Sequence, residues 1–375
     1  MVPENSLDDA LRALVAPGGV VDDARVLRFI GGPEERHLID MAITHRLHAT
    51  LVDVLERSGA PVDERLGALA VADRVVRLRL KGVLSAAASA LDSADVPWLV
   101  FKGPAVAASM PRPELRTYND LDLLVAANRF ADSIDALATV GITEVNRNWE
   151  PYVRYRVGEV PMVGAGVTVD LHWHLIGLRR DRVDLRLDPA EMLARRRRRM
   201  VDDRELSIFD PEDQLLHLAI HSALSGATRL DQLRDLCVGA SAESLDWEAY
   251  VRRARASGAA RLTGHALDRA AAVVGADVPV EILVDLAGAG PLARRRRLDG
   301  EAVATLRGLG VHWRRDTARA SLRAALVRLG DSLPRLGRRQ VGWDFATPDS
   351  RLYFARETGG GPGREAFLRG VAGWD

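Results

Sequence analysis

The stretch FKGPAVAASMPRPELRTYNDLDLLV, residues 101–125, contains Lys102, one of only two lysines in the chain, beside a Gly-Pro turn. An apolar run at residues 96–103 leads into it and is typical of a buried strand, while Pro104 suits the first turn of a helix. A second apolar run, residues 118–125, carries two aspartates separated by one leucine. We therefore predict two strands with a helix between them, and a group of charged side chains around them.

The faces of these strands follow from the alternation of side chains along an extended chain. Asp120 and Asp122 point the same way. A later strand-like segment, GVTVDLHWHL at 166–175, places Asp170 and His172 together on its polar face. If the strands are neighbours, the three aspartates converge, and their mutual repulsion favours a bound divalent cation. Oxygen ligands without cysteine predict Mg²⁺ or Mn²⁺.

The residue types around the aspartates are those that nucleotidyl transfer requires. A divalent cation would hold a nucleoside triphosphate (NTP), activate an attacking hydroxyl and neutralise the leaving pyrophosphate. A helix that opens at Gly103 offers backbone N–H groups to phosphate, and Lys102 and Arg116 offer positive charge. The alternative is structural, because a lone Asp-x-Asp pair usually marks a solvated strand end and Arg116 alone is more often a salt-bridge partner.

Helical spacing of apolar residues flanks the strands on both sides. The pattern predicts an α+β chain with an N-terminal helical unit at 1–95, an α/β core at 96–190, a C-terminal helical domain at 205–330 and a loosely packed tail at 331–375. Within the core, YVRYRV at 152–157 is a further strand-like piece. Asp210 can cap the first helix of the C-terminal domain, and Pro211 suits its first position.

Composition excludes several classes of protein. Basic and acidic residues number 52 each, so no global field draws the chain onto nucleic acid or an anionic membrane. A single cysteine, Cys237, excludes an internal disulfide framework. The first residues do not resemble a signal peptide, and no apolar run reaches the roughly 18 residues of a membrane helix. A cytoplasmic location without a membrane partner is expected, and the oligomeric state is left open.

Two other features have structural alternatives. Arginine runs at 194–200 and 293–300 could hold RNA phosphates, but charge runs are usually solvated and no aromatic residues are interleaved with these. His217 and His221 have the spacing of metal ligands, with Cys237 on the next predicted helix. Without a glutamate in a His-Glu-x-x-His arrangement, this pattern favours a core helix over a zinc site.

The chain resembles the bacterial family of uncharacterised nucleotidyltransferases, within the polymerase-β-like nucleotidyltransferase superfamily. The resemblance lies in three ordered blocks, residues 99–125, 169–175 and 210–236. It implies a nucleotidyltransferase-type mixed β-sheet core that binds a metal-bound NTP through an Asp-x-Asp pair and a later aspartate. These metal ligands and catalytic residues correspond here to Asp120, Asp122 and Asp170. At the turn after the first strand, this chain has Lys-Gly-Pro where the superfamily usually has Gly-Ser or Gly-Gly.

By the same resemblance, His172, His221 and Asp235 are candidates for the acceptor side of the site. The alternatives are a structural pairing of His221 with Asp235 and a purely structural place for His172 on the sheet. The expected reaction transfers a nucleoside monophosphate (NMP) from an NTP, expected to be ATP, to a hydroxyl of a small molecule or peptide. Two rivals stay open: a non-catalytic nucleotide-binding or scaffold protein of the same fold, and a nucleotidyltransferase acting on RNA or a protein side chain.

Overall fold

The computed structural model describes residues 6–15, 20–145, 148–201, 203–286, 315–332 and 362–374. Its helices are α1 (Leu7–Ala13), α2 (Asp23–Leu27), α3 (Glu35–Thr44), α4 (His48–Ser58), α5 (Glu64–Ser93), α6 (Gly103–Ala107), α7 (Phe130–Ala138), α8 (Glu150–Tyr155), α9 (Pro189–Ala194), α10 (Pro211–Leu224), α11 (Leu230–Ala240), α12 (Trp247–Ala256), α13 (Ala260–Val274), α14 (Val280–Asp285), α15 (Ala318–Ser332) and α16 (Pro362–Val371). Within these stretches, no helix has both the length and the apolar character needed to cross a membrane. The arginine run at 293–300 lies outside the described residues.

Five strands form one mixed sheet: β1 (Trp98–Phe101), β2 (Asp120–Val125), β3 (Thr143–Glu144), β4 (Glu159–Gly164) and β5 (Val167–His172). Their order across the sheet is β1-β2-β5-β4-β3. β2 and β5 are parallel, and the other neighbours are antiparallel. The predicted α+β class is confirmed, and the three predicted strand segments share one sheet. A separate hairpin pairs β6 (Arg197–Val201) with β7 (Arg204–Ile208).

The sheet buries the side chains that alternation assigns to its apolar face. On β5, Val167, Val169 and Leu171 are buried, whereas Thr168 between two of them is exposed. All four residues of β1 are buried, as expected of a strand covered on both faces. The polar positions of β2 and β5 are therefore presented together on the other face.

Two compact units, which interleave along the sequence, make up the chain. The helical unit comprises Met1–Val75, Val106–Tyr118 and Gln214–Asp316, and the sheet unit comprises Val76–Ala105, Asn119–Asp213 and Thr317–Asp375. Each unit combines stretches that are far apart in the sequence, whereas the sequence patterns divide the chain into consecutive segments.

The strand predicted at 152–157 is wrong, because residues Glu150–Tyr155 form α8. Pro151 lies in the first turn, where its missing N–H costs nothing. Tyr152 is fully buried against Trp149, with 5.6 Å between the ring centroids. Burial of one helical face against aromatic side chains thus outweighs the strand propensity of tyrosine and valine.

The described end of the tail is packed, which corrects the expectation of loose packing for residues 362–374. It contains α16, whose Phe367 is fully buried. The Phe367 ring contacts those of Phe130 and Trp149, with centroids 6.2 and 5.4 Å apart. α16 is therefore part of the core of the sheet unit.

The start of α10 agrees with the predicted cap. Asp210 accepts a hydrogen bond through Oδ1 from the backbone N–H of Asp213 at 2.9 Å. Pro211 is the first residue of the helix. The side chain of Asp210 therefore satisfies one of the N–H groups that a helix start leaves without an intrahelical partner.

Candidate active site

The sheet unit brings Asp120, Asp122 and Asp170 onto one face. β2 and β5 are parallel neighbours, and their register places Asp122 opposite Asp170 and Asp120 opposite Thr168. Since alternate residues share a face, the three carboxylates project from the same side of the sheet. Asp122 is buried, and Asp120 and Asp170 are half-buried. This is the juxtaposition that the two polar strand faces predict.

A fourth carboxylate, that of Glu159, joins them from β4. The register of β4 with β5 pairs Glu159 with His172 and Pro161 with Asp170, so Glu159 lies on the same face. The sequence-based prediction missed this residue, because a single acid at the start of a short strand has no spacing that marks it. Only the pairing of its strand reveals it. We refer to Asp120, Asp122, Glu159 and Asp170 as the carboxylate cluster.

His172 is buried between two members of the carboxylate cluster. Its Nε2 lies 3.2 Å from Asp122 Oδ1, and its Nδ1 lies 3.1 Å from Glu159 Oε2. Burial disfavours the charged imidazolium, but Glu159 and Asp122 outweigh burial and raise the pKa of His172. The edge of the ring packs against Phe101, with centroids 5.0 Å apart. His172 therefore links the strands on either side of its own.

Lys102 reaches the carboxylate cluster from the turn between β1 and α6, which begins at Gly103. Its backbone is left-handed, with φ 55°, which is uncommon for a residue other than glycine. Its Nζ donates to Asp122 Oδ1 at 2.7 Å. Burial alone would lower the pKa of Lys102, but Asp122 outweighs burial and raises it. Burial alone would likewise raise the pKa of Asp122, but Lys102 and His172 hold it far below its usual range.

The pKa of Asp170 is shifted in the opposite direction to that of Asp122. Burial, followed by the charges of Glu159 and Asp122, raises the pKa of Asp170 to about 7. Two aspartates on paired strands thus differ because one has cationic partners and the other has anionic neighbours. A carboxyl group with a pKa near neutrality can accept or release a proton under physiological conditions.

The donor chemistry of the carboxylate cluster fits a hard divalent cation. Its ligands are oxygens, and the pKa of Asp170 is raised by burial and by the negative charges of Glu159 and Asp122, which a cation would neutralise. With the side chains as placed, the described residues contain no group of three His, Cys, Asp or Glu side chains ready to hold a metal ion. One oxygen of Asp122 is engaged by Lys102 and His172. A metal ion could be held here only if these side chains were rearranged.

Three predicted site residues, Arg116, His221 and Asp235, belong to the helical unit. Arg116 and Asp235 form a buried bidentate ion pair, with Nε to Oδ1 at 3.0 Å and Nη2 to Oδ2 at 2.7 Å. His221 lies on α10, with its ring nearly parallel to that of His217 and 6.0 Å away. The pairing of Arg116 with Asp235 was not predicted, and the proposed roles of these residues toward phosphate and acceptor stay predictions.

Comparison with known proteins identifies the family of the chain. No curated protein sequence matches the chain. A family model described as uncharacterised nucleotidyltransferase matches residues 32–275, which is more than half of the chain. The matched region includes all the predicted site residues, from Lys102 to Asp235. The chain therefore belongs to this family of nucleotidyltransferases.

Proposed function

We propose that the chain transfers an NMP from an NTP, expected to be ATP, to a hydroxyl group and releases pyrophosphate. Membership of a nucleotidyltransferase family implies an NTP substrate. The observation that carries the proposal is the convergence of Asp120, Asp122 and Asp170 on one face of paired strands. Phosphoryl-type transfer requires positioning and charge neutralisation more than covalent chemistry by the protein, and such a face supports both.

Asp120, Asp122 and Asp170 would hold Mg²⁺ or Mn²⁺, which would neutralise charge on the NTP phosphates. Lys102 adds a second positive charge beside the same carboxylates, as a compact ammonium group that suits phosphate oxygens. His172 holds Asp122 and Glu159 in place through its two ring nitrogens. The chain thus supplies negative charge for the metal and positive charge for the phosphates.

The transfer exchanges one oxygen–phosphorus bond for another. The acceptor oxygen bonds to the α-phosphorus, and the bond from that phosphorus to the oxygen bridging to the β-phosphate breaks. The bonding electrons leave with pyrophosphate. The hydroxyl proton passes to the carboxylate of Asp170, which acts as the general base.

We propose a small molecule or a peptide as the acceptor. The net charge of zero does not favour extended contact with RNA, because binding several phosphates requires a continuous basic surface. The described arginines of the 194–200 run include Arg197 and Arg198 on β6, which are exposed, as a solvated charge run would be. A protein side chain is the remaining candidate, and the acceptor screen below separates it from the others.

A specific observation also supports the rival of a non-catalytic nucleotide-binding protein. Lys102 occupies an oxygen of Asp122 that a metal would need, and the described residues hold no ready metal group. A protein of this kind would bind an NTP without releasing pyrophosphate. The two functions are therefore separated by measuring pyrophosphate release and NTP binding on the same protein.

The test incubates the protein with α-labelled NTP, Mg²⁺ and fractionated cell extract, and follows the label and the pyrophosphate. Asp120→Asn and Asp122→Asn are expected to lower turnover by at least about 100-fold, since disturbing even the partners of metal ligands costs ~10–100-fold. Asp135→Asn, at an exposed position on α7, is the matched control and should retain full turnover. Undiminished turnover in the Asp120→Asn/Asp122→Asn double variant would refute the proposal, and NTP binding without pyrophosphate release would favour the rival.

A further inference from the structure

The sheet unit contains a cavity of about 940 Å³ that is lined mainly by cationic and apolar side chains. Six arginines line it: Arg154, Arg156, Arg179, Arg182, Arg186 and Arg323. Only two acidic residues, Asp184 and Asp188, share the lining. None of these residues belongs to the carboxylate cluster or is used in the proposed transfer.

Each acidic residue of the lining has one carboxylate oxygen engaged. Asp184 pairs with Arg323 at 3.1 Å, and Asp188 accepts a hydrogen bond from the backbone N–H of Ala190 at 2.8 Å, which caps α9. Arg154 has a carboxylate 3.9 Å away on its own helix, that of Glu150. Four arginines of the lining have no ion pair within the described part of the chain: Arg156, Arg179, Arg182 and Arg186. The cavity therefore carries a local excess of positive charge in a chain whose net charge is zero.

Arg182 is affected by the positive charges of other arginines in the lining. Its guanidinium lies over the Trp173 ring, 4.8 Å from the centroid, and donates to the carbonyl of Gly177 at 3.1 Å and to that of Arg156. Its Nε is buried and has no acceptor among the described residues. Burial, followed by the charges of Arg179 and Arg156, lowers the pKa of Arg182 to about 10, although the charge of Glu159 acts in the opposite direction. An anion would relieve this repulsion between like charges.

The rest of the lining is apolar enough to contact an organic group. It includes the side chains of Val183, Leu185, Leu187, Pro189 and Trp374. The volume falls in the range of about 300–1,000 Å³ that is common for pockets binding small molecules. A concave pocket of this size fits a compact ligand better than a long polyanion, which requires an extended basic stripe.

We propose that this cavity binds a phosphorylated small molecule, with its phosphates on Arg156, Arg179 and Arg186 and its organic part against the apolar wall. Guanidinium groups recognise phosphate oxygens through paired hydrogen bonds. Arg182 is held by the backbone carbonyls of Arg156 and Gly177, and its positive charge adds to that of the cavity lining. The proposal does not depend on nucleotidyl transfer, because it uses a different set of residues.

The test measures binding by calorimetry in the presence of EDTA, which removes divalent metals. The probes are ATP, as a phosphate ester with an organic part, and inorganic tripolyphosphate. Replacing both Arg179 and Arg186 by glutamine removes two exposed guanidiniums that have no ion pair, so the fold should persist, as checked by thermal unfolding. The matched control replaces Arg197 and Arg198, two exposed arginines of the same unit, by glutamine.

The expected result is that ATP binds the wild type more tightly than tripolyphosphate does. The Arg179→Gln/Arg186→Gln variant should bind ATP at least about tenfold more weakly, as expected for loss of charge-assisted hydrogen bonds. The Arg197→Gln/Arg198→Gln control should be unchanged. ATP bound at the carboxylate cluster without metal would be repelled by Asp120, so Asp120→Asn would tighten it. Binding in the cavity should be the same in Asp120→Asn and the wild type.

Four outcomes would overturn the proposal. These are no binding of either probe by the wild type, an equal loss in both arginine double variants, a changed affinity in Asp120→Asn, and tighter binding of tripolyphosphate than of ATP. A single-stranded RNA that binds more tightly than ATP, and is weakened equally in both arginine double variants, would assign these arginines to nucleic acid instead.

Discussion

At the scale of single residues, the carboxylate cluster shows how neighbours decide the proton affinity of identical side chains. Asp122 is held by Lys102 and His172, and its charge is stabilised. Asp170 is opposite Asp122 on the neighbouring strand, where burial and the charges of Glu159 and Asp122 raise its pKa to about 7. In the unfolded chain both residues ionise near the ordinary value of about 3.9. Between about pH 4 and about pH 7, the folded protein therefore binds more protons at Asp170 than the unfolded chain does.

This difference predicts how Asp170 affects stability in the metal-free protein. Because the folded state binds the extra proton, the free energy of unfolding falls as the pH rises from about 4 to about 7. Asp170→Asn carries no ionisable group, so it should gain roughly 2–3 kcal/mol on the wild type between about pH 5 and about pH 8. Urea unfolding in EDTA at both pH values measures this gain, with Asp135→Asn as the control. A stability difference from the wild type that is the same at both pH values would contradict the prediction.

At the scale of elements, the sheet unit is completed by a helix from the far end of the chain. α16 contributes Phe367 to a group of aromatic rings that includes Phe130, Trp149 and Tyr152. These residues come from α7, from the N-cap of α8 and from α8 itself. The aromatic contacts explain why α8 is a helix despite its strand-like sequence. They also make a terminal segment part of the core.

We expect Phe367→Ala to destabilise the protein by about 3–5 kcal/mol, the usual cost of removing a buried phenylalanine ring. The reason is the loss of buried apolar area together with the cavity that the ring leaves behind. Arg369→Ala, on the exposed side of the same helix, should change stability by less than about 0.5 kcal/mol. Chemical denaturation of the two variants measures both effects. Equal stability of Phe367→Ala and the wild type would show that α16 does not belong to the folded core in solution.

At the scale of the whole molecule, charge is balanced overall but separated locally. Basic and acidic residues are equal in number, yet the sheet unit contains both the carboxylate cluster and the arginine-lined cavity. Local fields of opposite sign can bind a cation and an anion without making the protein a general polyanion binder. This supports a confined acceptor over an extended nucleic acid.

The salt dependence of the reaction tests this view. A protein that grips RNA through 6–10 phosphates loses about 10³–10⁵ in affinity between 50 and 200 mM salt. The proposed NMP transfer to a small acceptor should change by less than about tenfold over the same range, since such an acceptor offers few phosphate contacts. The measurement is the rate of label transfer in the active extract fraction at each salt concentration, with and without added RNA. A steep fall with salt, together with label in RNA, would contradict a small acceptor.

The amino-acid sequence by itself determined three of the strand segments of the sheet and the alternation of their side chains between the two faces. Alternation along an extended chain is a local property, so the sequence placed Asp120 and Asp122 on one face. Asp170 joins them because β2 and β5 are neighbours, a condition that the sequence left open and that the strand pairing shows. The ordered blocks around them were also sufficient to predict the family, which the family match confirms. A local pattern failed at 152–157, where packing against residues distant in sequence decides the conformation.

Only the tertiary structure decided the partners of these residues. Arg116 and Asp235 pair across 119 positions of sequence, and Glu159 joins the carboxylate cluster through strand pairing alone. The opposite pKa shifts of Asp122 and Asp170 likewise depend on which charges surround each carboxylate. Burial and Coulomb interactions depend on distances in space, and the spacing of residues along a chain does not encode those distances.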